Sequence, residues 1–97
     1  MHVITKARSR EFWERYPDSK LPLEAWYHKV DHATWQNLAE VRVDYPHCDP
    51  YGICFIFNIG GNKYRLIVKI KFYSQMIYVR AVLTHKEYDK DKWKDEC

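Results

Sequence analysis

The chain is short of the residues that bend, break or crosslink a backbone, with three glycines, four prolines and three cysteines among 97 residues. So few glycines and prolines leave no linker, low-complexity tract or internal repeat, and one domain spanning residues 1–97 is expected. Gly60 and Gly61 are adjacent but lack the following Lys-Ser/Thr pair of a phosphate-binding loop, which excludes that route to nucleotides. Cys48, Cys54 and Cys97 are odd in number and form no CxxC pair. Free thiols in a reducing cytoplasm are the simplest expectation. No apolar run is long enough to span a membrane and the first residues lack a secretory pattern, so no membrane partner is expected.

Aromatics are what the chain has instead. Four Trp, eight Tyr and four Phe help to fill a core that 97 residues build only marginally. The strongest pattern runs from Phe57 to Asp89. Read as a two-residue hairpin loop, Gly60-Gly61 pairs Phe57 with Tyr64 and Phe55 with Leu66; a turn centred on Ser74-Gln75 pairs Lys69 with Arg80 and Val68 with Ala81. Both registers agree on a buried face of Ile53, Phe55, Phe57, Tyr64, Leu66, Val68, Ile70, Phe72, Ile77, Val79, Ala81 and Leu83. The other face carries Asn58, Lys63, Arg65, Lys69, Lys71, Tyr78 and Arg80, interleaved with Cys54, Ile56, Ile67 and Val82.

Five residues of that second face are cations, with no carboxylate among them. A solvated face normally mixes signs, and Lys69 opposite Arg80 is a like-charge pair that costs stability unless an anion sits over it. Residues 1–59 hold 7 basic and 8 acidic side chains, residues 60–94 hold 9 and 3. The basic excess coincides with the meander and points to a polyanion such as nucleic acid. The interleaved apolar residues imply that part of this face is covered.

The remaining chain reads as helices over the sheet. Met1 to Ile4 supplies a short edge strand, and Thr5 caps a helix running to about Tyr16. Pro17 and Asp18 break it. A second helix starts near Ser19 with Pro22 in its first turn, and Leu23, Trp26, Tyr27 and Val30 form a stripe at i, i+3, i+4 and i+7 that faces the apolar side of the sheet. A third helix begins at Thr34 and turns Leu38 and Val41 inward. Asp44 to Gly52 reads as a loop. The fold class is α+β.

After the meander, Thr84 and Glu87 fit a capping box, with Leu83 and Tyr88 as its hydrophobic staple. His85 is then the first residue of a helix, where free N–H groups attract anions, and an imidazole there can donate or accept a proton. His28 and His32 lie at i, i+4 and make half of a zinc site that His47 and Cys48 would have to complete. No ligand spacing elsewhere supports it, and no metal is expected.

Phe57-Asn58-x-Gly60-Gly61-Asn62-x-x-Arg65, followed by Tyr78-x-Arg80 and Thr84-His85-x-Glu87-Tyr88-Asp89, resembles the HigB family of bacterial toxins within the RelE-like superfamily. The N-terminal half is similar too, with a short strand, a helix ending in Arg15-Tyr16-Pro17-Asp18, and Leu23-x-x-Trp26 on the next helix. The resemblance covers nearly the whole chain. It implies helices on one side of a small antiparallel sheet, a ribosome-dependent mRNA endonuclease, and a helix-turn-helix antitoxin as partner. It implies no small-molecule cofactor.

Cleavage of RNA by its own 2′-hydroxyl requires a base, positive charge on the phosphate as it becomes pentacovalent, and an acid for the leaving 5′-oxygen. The catalytic candidates are Arg65 and Arg80 on the phosphate, His85 as acid or base, and Lys69 and Tyr88 for proton transfer or orientation. Asn58, Asn62, Lys63, Lys71 and Tyr78 are the RNA-binding candidates. Two other readings use the same face. A non-enzymatic RNA or ribosome binder needs the cations but not His85, and a protein-interaction module docks an acidic peptide there. RNA cleavage separates the enzyme from both.

Overall fold

The computed structural model describes residues 1–97. The order of elements is β1 (His2–Ile4), α1 (Ala7–Arg15), a 3-10 turn (Pro17–Ser19), α2 (Lys20–Asp31), α3 (Leu38–Asp44), β2 (Asp49–Tyr51), β3 (Cys54–Ile59), β4 (Tyr64–Lys71), β5 (Met76–Thr84), α4 (His85–Asp89) and a closing 3-10 segment (Lys92–Glu96). The strands form one sheet in the order β1-β5-β4-β3-β2, antiparallel except where β1 runs parallel to β5. The α+β class and the N-terminal edge strand are as expected. β2 lies in the stretch expected to be a loop; Pro50 is tolerated there because β2 is an edge strand bonded only to β3.

Helices α1 to α3 cover one face. The stripe on α2 is fully used, since Leu23, Trp26, Tyr27 and Val30 are all buried. Phe57 sits at the centre of the aromatic packing, with Trp26 and Tyr45 edge-on at 5.4 and 5.2 Å and Trp35 stacked at 6.3 Å. Asn37, not Thr34, caps α3, accepting a hydrogen bond from the Glu40 amide. Thr5 does not cap α1 either: it has φ 75, and Lys6 occupies the cap position without a side-chain bond.

Both hairpin registers differ from the expected ones by two residues near their turns. Phe57 pairs with Leu66 and Asn58 with Arg65, so the first loop holds four residues, Gly60–Lys63; Ile70 pairs with Ile77 and Lys69 with Tyr78 rather than Arg80. A shift of two keeps every side chain on its face. A bulge then changes the parity. Val68 pairs with Val79 but Ile67 pairs with Ala81, leaving Arg80 as the extra residue. Beyond it Val82 packs against the main core, while Ala81 and Leu83 move to the second face, contrary to expectation. Ile53, expected to be buried, is 54% exposed because β3 begins only at Cys54.

The second face has its own small core of Cys54, Ile56, Ile67 and Trp93, with Ala81, Leu83, Tyr88 and Cys97 packed against it. It is covered by α4 and the closing segment, so the helical cover is not confined to one side. The free-thiol expectation is also corrected. Cys54 and Cys97 form a disulfide with their Cα atoms 5.4 Å apart, and only buried Cys48 is free. Gly52 admits the chain end: its φ is 56, and a Cβ there would lie 2.1 Å from the Cys97 carbonyl oxygen.

Leu66 is fully buried against the helices, whereas Leu83 is half-buried on the second face. Leu66→Ala is expected to cost about 2–5 kcal/mol in denaturant unfolding and Leu83→Ala clearly less. Equal losses would contradict this division of the faces.

Candidate active site and nucleic-acid interface

The capping box forms as the sequence indicates. Thr84 Oγ1 accepts from the Glu87 amide at 3.2 Å, and Glu87 Oε1 accepts from the Thr84 amide at 3.1 Å. The box starts α4 directly from the end of β5. His85 is consequently exposed at the first helical position, with Nδ1 3.1 Å from Asp89 Oδ2. Tyr88, one turn on, stacks on Trp93 at 5.1 Å with ring planes 10° apart.

Arg65 lies beneath Tyr88. Its guanidinium carbon is 5.1 Å from the Tyr88 ring centre, and the residue is 8% exposed rather than open to solvent as expected. Nη2 donates to Asn62 Oδ1 at 2.5 Å, and Nη1 donates to the backbone carbonyls of Asn62 and Tyr64 at 3.1 and 3.2 Å. A buried charge is tolerable only when its donors are met in this way. Asn62 thus serves as a partner of Arg65. Asn58, opposite Arg65 in the ladder, lines with Asn62 a cleft of about 560 Å³ whose far wall is the loop Asp44–Cys48. His47, which the sequence reading assigned only to an incomplete zinc site, lines the same cleft. The rings of His28 and His32 have centres 4.6 Å apart with planes tilted by 47°, and no further His, Cys, Asp or Glu joins them in a metal-binding group.

The remaining cations separate from this centre. Lys63 turns toward the helical layer and pairs with Asp18, so the expected carboxylate-free set loses one member. Lys69 and Lys71 stand on β4 about 13 and 20 Å from Arg65 at the rise of an antiparallel strand. They share their end of the sheet with Tyr78, over whose ring Lys71 Nζ sits at 5.6 Å. Tyr78 Oη also approaches Met76 Sδ at 3.7 Å. Arg80 is half-exposed at the bulge, where its carbonyl accepts from Arg8 Nη1 at 2.5 Å and its guanidinium lies 4.0 Å from Glu96. Arg8 belongs to α1, and nothing in the local sequence pattern announces a contact across 72 residues.

A family profile described as HigB toxin, the RelE-like toxic component of a toxin-antitoxin system, matches residues 19–91. The chain belongs to the HigB family. The mRNA interferase toxin HigB of Escherichia coli is 33% identical over 92 residues, covering 92% of this chain and 88% of that protein. The mRNA interferase HigB of Shigella flexneri has the same identity and coverage, and one from another Escherichia coli strain is 30% identical over 93 residues. The HigB profile takes in β3, β4, β5 and α4, and hence Arg65, Arg80, His85 and Tyr88. It stops short of the closing segment and Cys97.

Asp18 gives a pH test of the Lys63 placement. Hydrogen bonds from Lys63, foremost, and then Tyr64 hold its carboxyl below the usual 3.8, while the same bond pushes the Tyr64 phenol up to about 12. A depressed carboxyl stabilises the fold above its unfolded value, and that contribution is lost as pH falls through the folded value. Asp18→Asn should therefore unfold at lower urea than the parent near about pH 7, with the gap closing below about pH 4. A gap that widens in acid would rule out the pairing.

Proposed function

We propose that this chain is an mRNA interferase that cuts ribosome-bound message by attack of the RNA's own 2′-hydroxyl. The observation that carries the reading is the clustering of Arg65, Tyr88 and His85 where β4 meets α4, with Arg80 on the adjoining strand. His85 is the exposed proton-exchanging group of the cluster and serves as general acid or base. Arg80, half-exposed, contacts the phosphate as charge accumulates on it. Arg65 acts from below the surface as a fixed cation that holds Tyr88 and Asn62 in place, which revises the direct phosphate contact inferred from sequence. Tyr88 orients the substrate over that cation. Lys69 lies too far along β4 for the same phosphodiester and joins Lys71 and Tyr78 in holding message or ribosomal RNA. Asn58 lines the flanking cleft and binds RNA there, and Lys63 has the smaller part left by its pairing with Asp18.

No step assigned to these side chains calls for a metal. The ribosome supplies the in-line orientation of the 2′-hydroxyl that so small a surface does not impose alone. A helix-turn-helix antitoxin neutralises the protein, and both act in the cytoplasm.

Expressed without its antitoxin, the protein is expected to arrest growth and leave 2′,3′-cyclic or 3′-phosphate ends on message cut in translating ribosomes. His85→Gln should lose about 10²–10⁴-fold in cleavage rate, because glutamine keeps hydrogen bonding but exchanges no proton near neutrality. A loss below about tenfold would reduce His85 to positioning. Arg80→Ala should impair cleavage with an unchanged melting temperature, whereas Arg65→Ala should lower both. RNA binding without any cleavage would favour the non-enzymatic binder.

A further inference from the structure

The closing segment does more than cover apolar surface. It turns back after α4 through Asp91, whose φ is 61, and is fastened at three points. Trp93 Nε1 donates to the Tyr88 carbonyl at 3.0 Å, the Ile53 amide donates to the Cys97 carbonyl at 3.0 Å, and Cys97 is bonded to Cys54. Between this strap, α1 and the bulged part of β5 lies a cleft of about 380 Å³ that includes Arg8, Arg80, Lys90 and Lys92. Glu87 and Glu96 also face it. Glu87 is committed to the capping box, and Glu96 stands 4.0 Å from Arg80. Arg8 is held at the cleft by the bulged carbonyl of Arg80, which takes up one Nη1 bond and leaves its other donors free.

We infer that this strap builds a second RNA phosphate site beside Arg80, formed by Arg8, Lys90 and Lys92, and that the Cys54–Cys97 disulfide keeps it assembled. The inference rests on the reading of the chain as an RNA-cutting toxin and adds a stretch of the RNA path to it. Arg8 from α1, Arg80 from β5, Lys90 at the end of α4 and Lys92 on the strap converge on one concave surface; Glu87 is committed to its capping box and Glu96 stands against Arg80, which leaves Arg8, Lys90 and Lys92 without a carboxylate partner. A phosphodiester entering there offsets the repulsion among cations that the fold has brought together. Lys92 lies on the strap and Lys90 at the end of α4 from which it turns back, so detaching the strap disperses two of the three cations. Cys97 is partly exposed, which opens the bond to reductants. Reduction by a dithiol adds two electrons and two protons to the cystine, giving two thiols, as the dithiol closes to its own disulfide.

The test is binding of a single-stranded RNA oligonucleotide 2′-O-methylated throughout, followed by fluorescence anisotropy over a salt series. The methyl groups block the attacking hydroxyl, so the readout does not depend on cleavage. Arg8→Ala and Lys92→Ala are each expected to weaken binding several-fold and to flatten the slope of log affinity against log salt by about 0.7. Cys97→Ser, and the parent protein treated with dithiothreitol, should both match Lys90→Ala/Lys92→Ala, and the reductant should change nothing further in Cys97→Ser. The double lysine variant keeps the disulfide and decides the matter if Cys97→Ser does not fold. Parent-like slopes in the double variant, or no binding by the parent, would overturn the site. Expected slopes without cleavage of unmodified message would leave the site standing and remove the nuclease reading; cleavage with unchanged slopes would do the reverse.

Discussion

Val68 pairs with Val79 and Ile67 with Ala81, so Arg80 has no partner and the part of β5 beyond it is turned over. Most of what distinguishes the two faces depends on this. Without the bulge, Ala81 and Leu83 would join the main core, and Val82 alone would take their place behind Trp93 and the strap. The bulge also re-aims the Arg80 backbone, and its carbonyl becomes the anchor for Arg8 from α1. One inserted residue thereby links the helical layer to the basic face and leaves a half-exposed guanidinium between them.

Burial of Arg65 imposes a second constraint, on the hairpin. A guanidinium at 8% exposure needs acceptors nearby, and Asn62 supplies two of them, its side-chain and backbone oxygens. In a two-residue loop Asn62 would sit in the ladder opposite Ile59. The four-residue loop frees it to fold back over Arg65, with Gly60 and Gly61 at φ 64 and 69 allowing the curl. The Gly-Gly-Asn-x-x-Arg spacing is therefore one device, in which the turn exists partly to satisfy the charge that follows it. Above that charge, Tyr88 is held between a cation and an indole, so α4 has a fixed seat despite its length of five residues.

Much of this was legible from sequence, and the reasons differ by element. The α2 stripe, the capping box and the parity of β3 and β4 depend on periodicities that neighbouring residues impose, and they hold. The loop lengths were misread by two residues, an error that period-two alternation cannot reveal because the faces come out the same. The bulge was invisible for a related reason: Arg80 fits an alternating polar position as well as it fits an insertion. Arg65, Lys69 and Lys71 fall on the second face as the alternation predicts, but Lys63 turns to the helical layer, and the long-range neighbours of the basic side chains are not legible from local pattern. Asp18 reaches Lys63 from 45 residues away, Arg8 reaches Arg80 from 72, and Cys97 reaches Cys54 from 43. Counting cysteines favoured free thiols, since an odd total says nothing about which two the fold brings together.

The last of those long-range contacts also explains how so slight a second core holds together. Four buried residues with partly buried neighbours give little apolar area to oppose the entropy of ordering a charged chain end. Around the turn at Asp91 the chain balances Lys90, Lys92 and Lys94 against Asp91, Asp95 and Glu96, with Lys94 3.3 Å from Asp91 and Glu96 4.0 Å from Arg80, and such exposed pairs add little to docking. In the chain-entropy account, a crosslink closing a loop of this length contributes about 4 kcal/mol by restricting the unfolded chain. Burial of the Trp93 indole is of the same size, since about 150–250 Å² at about 25 cal/mol per Å² gives about 4–6 kcal/mol. The docking of the strap thus rests on the buried indole and the disulfide together, and Lys92 stays at the cleft because these, rather than its own contacts, keep the strap in place.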